Sequence, residues 1–452
     1  MTHGINDIFA YIAANEQSFI LRVMDYVRHP SISAQNIGID EVAALLVGTL
    51  TDLGFAAEAV PTDGHPMVLG RWDKAPGAPT ILLYGHYDVQ PPEPLDAWIS
   101  PPFEPAIRDG RIYARGIGDN KGQHFAQLLA IESHLKVCGN LPCNVIVLLE
   151  GEEEIGSPHI ASFIAAHRER LKADLVVTAD GPISASGQPM ISYGVRGIAS
   201  FELRAHHASR DVHSGNFGGI VPNPIWTLVH LLATMKDADG EITIDGFHDD
   251  VVPPTELERA ATAKLPFDIE EVKQALALTR LDAPVRRGVA ERLMFHPTLT
   301  INGFHGGYGG QGRKTVLPNE AFVKCDIRLV EAQTPQDVLA KVEAHVKRHA
   351  PEVEFIGHGG KLPSRTPMES PYGEAIRRAI VTAQGVEPLL YPCMGGSLPD
   401  YVFTKILGIP AFVVPYANAD EANHAPNENL TIECFLNGIR TGAALLAEIG
   451  GR

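Results

Sequence analysis

The chain has 452 residues with 37 Lys+Arg against 54 Asp+Glu, a formal net charge of −17, and 45% of its residues are hydrophobic. That balance, with no basic stripe, excludes a nucleic-acid partner, because such binding rests on clustered Lys and Arg neutralising phosphates. The 43 glycines and 34 prolines, about 17% of the chain, fall short of the ~25–30% of a low-complexity sequence, so the chain reads as globular, with material for up to three domains at ~150 residues each.

In chain order, the opening segment MTHGINDIFAYIAANEQ lacks the basic region and apolar run of a signal peptide. No later stretch approaches the ~18 continuous apolar residues of a membrane span. DEVAALLVGTLTDLGF has apolar positions at helical spacing and a glycine stop, which predicts a helix. PTILLYGH, NVIVLLEG, DLVVTADG and PAFVVPYA are short apolar runs of the kind that form buried strands of a largely parallel sheet. NKGQHFAQLLAIESHL, between the first two, predicts a crossover helix. From about residue 197 the pattern changes. IASFELRAHHA alternates as a half-exposed strand does, NPIWTLVHLLATMKD follows as a helix, and a charged, helical insertion runs from about 240 to 295. TLTINGF, NEAFVKCDIRLVEA, the helix TPQDVLAKVEAHVKRH and the strand VEFIG complete this part. The expectation is an α/β protein: a discontinuous domain of residues 1–196 and 371–452 with a mostly parallel sheet flanked by helices, interrupted by a smaller α+β domain of residues 197–370. Cys138, Cys143, Cys325, Cys393 and Cys434 include no CxxC pair. They point to a reducing compartment, the cytoplasm, and away from disulfides or a thiolate metal site.

Side chains that favour metals sit just past the predicted strands, where open parallel sheets bind ligands. They are His86 and Asp88 after ILLY, Glu152–Glu153–Glu154 after VIVLLE, Asp180 after LVVTA, and His424 after the last strand. Asp119 adds a carboxylate on the glycine-rich turn ARGIGDNKG. Two histidines with several carboxylates and no thiolate suit Zn²⁺, Mn²⁺ or Co²⁺. Two such ions need a bridging group, for which Asp119 is the candidate, and they lower the pKa of a bound water toward about 7. In His86-x-Asp88 the carboxylate can hold the second N–H of the imidazole. Of the adjacent glutamates, one can bind metal while another takes a proton. His124, His134, His159 and His230 have no such context and read as structural.

The segments GHYDVQP, RGIGDNKG, LLEGEEEIGS, TADG and NHAPNE resemble the two-metal peptidases of the carnosinase and cytosolic non-specific dipeptidase family. Its wider relatives include aminoacylase, carboxypeptidase G, succinyl-diaminopimelate desuccinylase and acetylornithine deacetylase. The resemblance spans essentially the whole chain. It implies a catalytic domain interrupted by a lid that also forms a homodimer. It implies two divalent ions per subunit, taken as Zn²⁺ with Mn²⁺ or Co²⁺ as alternatives. His86 and Asp180 would bind one ion, Glu154 and His424 the other, and Asp119 would bridge them. Glu153 would be the general base, Asp88 would support His86, and the Asp119–Asn120 peptide would be cis. DVHSG looks like the lid motif whose histidine, His213, reaches the partner's site and stabilises an oxyanion. KTVLP, CDIRLV and GGSLPD would bring Thr315, Arg328, Gly396 and Ser397 to the substrate, with Arg328 on its terminal carboxylate. The implied reaction is hydrolysis of dipeptides or short peptides; the alternative is an N-acyl amino acid deacylase using the same metals.

Overall fold

In a computed structural model, residues 4–281 and 288–451 are described. The chain divides into two compact units. The first runs through Gly194 and resumes with Arg365–Pro392 and from Val402 onward; the second comprises Val195–Ser364 and Cys393–Tyr401.

The first unit is built on an eight-stranded sheet. At its centre the strands Asn144–Glu150, Thr80–His86, Leu175–Thr178 and Ala411–Val413 lie side by side in that order, each pair parallel. These are the four apolar runs of the sequence. They read as continuous rather than alternating because both faces are covered: Ile81, Leu82, Val145, Ile146, Val176, Val177 and Phe412 are all buried. Met67–Trp72 and Ala56–Val60 extend the sheet antiparallel beyond Asn144–Glu150. The crossover helix spans Lys121–Cys138 and stops at Gly139, whose φ of 76° suits a residue without a Cβ. The helix Ile39–Asp52 turns Ile39, Val42, Ala43, Leu46 and Leu50 inward, the period that its sequence shows. The parallel strands share one direction, so their carboxyl ends fall at one edge of the sheet, and His86 and Glu150 are register partners there.

The second unit has a four-stranded antiparallel sheet in the order Thr298–Gly306, Glu320–Leu329, Gly197–His206, Glu354–Lys361. Pro224–Met235 and Pro335–His349 are its long helices, and Asn223 and Thr334 cap them by accepting from Ile225 N and Asp337 N. The strand Gly197–His206 departs from half-exposed alternation, with Phe201, Glu202 and Leu203 buried in succession. It is flanked by a strand on each side, and Glu202 is buried with Arg204 as its ion partner at 2.6 Å. The insertion contains the short helices Glu256–Thr262, Ile269–Ala275 and Val289–Phe295; residues 282–287 of it lie outside the described residues. Cys393–Tyr401, which the sequence reading grouped with the first domain, packs with the second unit. Val195 bridges Met394, and the amide of Arg196 donates to the carbonyls of Met394 and Gly396. Among the described residues no helix is long and apolar enough to cross a membrane.

Candidate metal centre

His86 ends its strand fully enclosed, at 1% exposure. Its backbone amide donates to Asn120 Oδ1 (3.1 Å), and Asn120 Nδ2 donates to the carbonyl of Ala179, one residue before Asp180. Asn120 therefore ties two strand ends together. It can approach because residue 85 is glycine: a Cβ there would stand 2.7 Å from Asn120 Oδ1. The Asp119–Asn120 peptide is cis.

Asp119 is the centre of the arrangement. Its Oδ1 lies 3.0 Å from His86 Nε2 and its Oδ2 lies 3.0 Å from His424 Nε2. On one side Asp180 Oδ2 is 3.7 Å from His86 Nε2; on the other Glu154 Oε2 is 3.2 Å from His424 Nε2. Two groups of ligand atoms result, His86–Asp119–Asp180 and Asp119–Glu154–His424, each gathered within 4.8 Å. Asp119 belongs to both. His424 occupies the left-handed region at φ 57°, uncommon for a residue with a side chain. Its loop is held by Asn418 and Asn429, whose amides bond each other and the backbone of Thr431, Asp420 and Glu421.

Asp88 supports both halves. His86 Nδ1 meets the Asp88 carbonyl at 3.0 Å, with the carboxylate slightly farther at 3.4 Å. That carboxylate accepts the amides of Glu153 (3.2 Å) and Glu154 (3.0 Å), which sets the turn where both glutamates sit. Gln90 Nε2 donates to Glu154 Oε2 at 2.8 Å. Glu152, the third acidic residue of the run, faces away: it is buried on His159 Nδ1 (2.7 Å) and the amide of His65 (3.1 Å). Asn120 and Gln90 went unassigned in the sequence reading, although each lies inside a quoted motif. An amide side chain has no metal preference to reveal it, and only the fold gives it partners.

The electrostatics are those of a site short of positive charge. Burial pushes the Asp180 carboxyl well up, and the charge of Asp119 adds to it. Glu154 is raised for the same two reasons, although His424 opposes them. Burial also acts to raise Asp119, but hydrogen bonds from His424 and His86 outweigh it and hold this carboxyl well below the usual range. Burial opposes protonation of His86, yet Asp119 and Asp88 raise it well above the ordinary imidazole value. His424 is raised to about 10 by Asp119 and Glu154. Three buried carboxylates and two imidazoles without a thiolate fit a pair of borderline divalent ions, which supply the missing charge.

Of the remaining candidates, the second unit brings together two pairs. His213 Nε2 and Thr315 Oγ1 are 3.2 Å apart and exposed. Arg328 Nη1 donates to Ser397 Oγ at 2.9 Å, and Gly396 neighbours that serine. Arg196, absent from the sequence reading, holds the same loop through Nε to the Gly395 carbonyl (2.9 Å).

A carboxylate common to two ligand groups at the carboxyl edge of a parallel sheet defines a candidate dinuclear metal site. The chain belongs to peptidase family M20/M25/M40, whose model matches residues 82–448. It is 29% identical to the Cys-Gly metallodipeptidase dug1 of Schizosaccharomyces pombe, over 99% of each chain. It is 28% identical to the Beta-Ala-His dipeptidase of Rattus norvegicus, over 98% of this chain and 95% of that one. Among solved structures, the M20 family metallo-carboxypeptidase Sso-CP2 from Sulfolobus solfataricus superposes with a TM-score of 0.90 at 36% identity, covering 96% of this chain and 99% of that one.

Because imidazole must be neutral to ligate, ions entering the metal-free site displace protons from histidines whose pKa is raised. Zn²⁺ binding at pH 7 is expected to release protons, and affinity to rise as the pH is raised from about 6 to 8, because both imidazoles are raised and must give up a proton to ligate. Calorimetry in buffers of different ionisation enthalpy measures this; a buffer-independent heat would contradict it.

Proposed function

We propose that this chain is a two-metal dipeptidase. The observation that carries the reading is the setting of Asp119, with one oxygen toward each of two imidazoles. His86 and Asp180 would hold one ion, Glu154 and His424 the other, and Asp119 both. With divalent ions bound, the site would polarise the scissile carbonyl and acidify the attacking water; Zn²⁺ is the ion we assign, with Mn²⁺ and Co²⁺ fitting the same donors.

Glu153 is the base in this reading. Its amide is pinned on the Asp88 carboxylate beside that of Glu154, which places it on the turn that carries one of the ligands. Its carboxylate takes the proton of the attacking water and returns it to the leaving amine. His213 has the chemistry of an oxyanion donor. Its Nδ1 accepts the Gly215 amide at 3.0 Å, so the neutral ring carries its proton on Nε2, the nitrogen turned to Thr315. Arg328, Ser397 and Gly396 form a carboxylate anchor, and Thr315 stands beside His213 to contact the substrate. The relatives named as dipeptidases support a dipeptide substrate.

The domain assignment is of the same kind: a discontinuous catalytic domain and an inserted lid that dimerises. The lid presents an edge strand, Thr298–Gly306, with Ile301 and Phe304 exposed, and the helix Pro224–Met235, packed on the two inner strands, exposes Trp226 and Val229. Unpaired edges and apolar patches of this kind are normally covered; we assign a second copy to this one, which would carry His213 to its partner's site. A cytoplasmic location agrees with five cysteines that are all free.

The decisive experiment is hydrolysis of unblocked dipeptides against N-acetyl, N-succinyl and N-formyl amino acids by stripped enzyme reloaded with Zn²⁺ or Mn²⁺. Preference for dipeptides is expected; the reverse order would make the protein a deacylase. Glu153→Gln is expected to retain two ions, measured by elemental analysis, while kcat falls by about 10²–10⁴. Near-normal turnover with both ions present would remove Glu153 from the role. Ile301→Asp with Trp226→Asp is expected to give monomers in sedimentation and to remove activity while metal binding persists; an unchanged sedimentation coefficient would refute the assigned interface.

A further inference from the structure

The motif NHAPNE ends on Glu428, to which the proposed reaction gives no task. Its carboxylate is fully buried and accepts four N–H groups, all from the loop that presents Asp119. Oε2 takes Arg115 Nη1 (2.7 Å) and the amide of Gly116 (2.9 Å). Oε1 takes the amides of Gly118 (2.9 Å) and of Asp119 itself (3.0 Å). The backbone alignment that delivers this carboxylate is independent of the metal ligands: Asn429–Thr431 pairs with Arg111–Tyr113, and the Ala114 amide donates to the Glu428 carbonyl.

The other end of the loop is held by a lysine. Lys121 is fully buried and donates to the His29 carbonyl (2.6 Å) and Ser31 Oγ (3.2 Å). The turn and the start of the helix after it are closely packed. A Cβ on Gly118 would stand 2.4 Å from Glu421 Oε2, and one on Gly122 would stand 2.1 Å from the Ile117 carbonyl. The height and tilt of the Asp119 carboxylate thus follow from where the Glu428 carboxylate sits.

We propose that Glu428 is the positioning residue of the bridging ligand, and that loosening it weakens both metal sites together. The inference rests on the two-metal reading above. Its distinguishing feature is the coupling. A change at His424 or Asp180 touches one group of ligands, whereas Asp119 serves both, and partners that orient a ligand are typically worth 10–100-fold in metal affinity.

The test is titration of stripped enzyme with Zn²⁺ against a chromophoric chelator, with circular dichroism confirming the fold. In Glu428→Gln one carboxylate oxygen becomes an NH₂ donor, so N–H groups of the loop lose their acceptor and Arg115 loses its counter-charge. Both dissociation constants are expected to rise about 10–100-fold together. Glu428→Asp, which keeps the charge and shortens the reach, is expected to fall between this variant and the parent; it carries the test if the glutamine variant does not fold. His424→Ala, as reference, should weaken one site far more than the other. A folded Glu428 variant with both constants unchanged, or with one site alone weakened, overturns the proposal. Parent enzyme that binds fewer than two ions would overturn the two-metal reading itself, so the two failures are told apart.

Discussion

Asp119 has to turn one oxygen to His86 and the other to His424 while buried among further carboxylates. A carboxylate in that setting cannot orient itself. Its neighbours of like charge repel it, and burial removes the water that would screen them. The scaffold therefore holds its loop from both sides: amides of the turn donate to the Glu428 carboxylate, and the buried Lys121 side chain ties down the residues just after. Much of the unusual chemistry of the first unit serves this one placement.

The parallel sheet does the rest by geometry. Parallel strands finish at a common edge, so residues far apart in the chain meet there without long loops. Asn120 shows how economical the arrangement is. A single amide side chain locks the end of one strand to the end of its neighbour, so the spacing of His86 and Asp180 is set by the sheet more than by their own flexibility. Asp88 repeats the device on the other side, where its carbonyl aims an imidazole and its carboxylate aims the turn of Glu153 and Glu154.

The four central strands were legible because burial on both faces leaves uninterrupted apolar runs, and the metal-favouring residues were legible because they follow those runs. Each of His86, Asp180 and His424 was a weak signal by itself; their occurrence together after successive strands marked them, and the structure gathers them around Asp119. The acidic run was only half legible. Three glutamates in series look alike, and only the fold turns Glu152 toward His159 and His65. Asn120, Gln90, Arg196 and Glu428 were not legible as working residues. Their partners are backbone atoms or distant side chains, and a hydrogen-bonding role to a distant loop leaves no periodicity or spacing to read. The strand Gly197–His206 looked half exposed because Glu202 and Arg204 alternate with apolar neighbours; an ion pair within the strand lets Glu202 stay buried.

The segment Cys393–Tyr401 has a consequence for how this fold can be cut and recombined. It leaves the first unit, packs with the second through Val195 and Arg196, and returns. A gene segment encoding residues 195–364 alone would carry Arg328 but not Ser397, its hydrogen-bonding partner. Exchanging the second unit between relatives by a single splice would thus split the Arg328–Ser397 pair between two parents. Recombination that preserves it must exchange two separate stretches of sequence at once, which ties the inheritance of the pair to that of the strands on either side of the short segment.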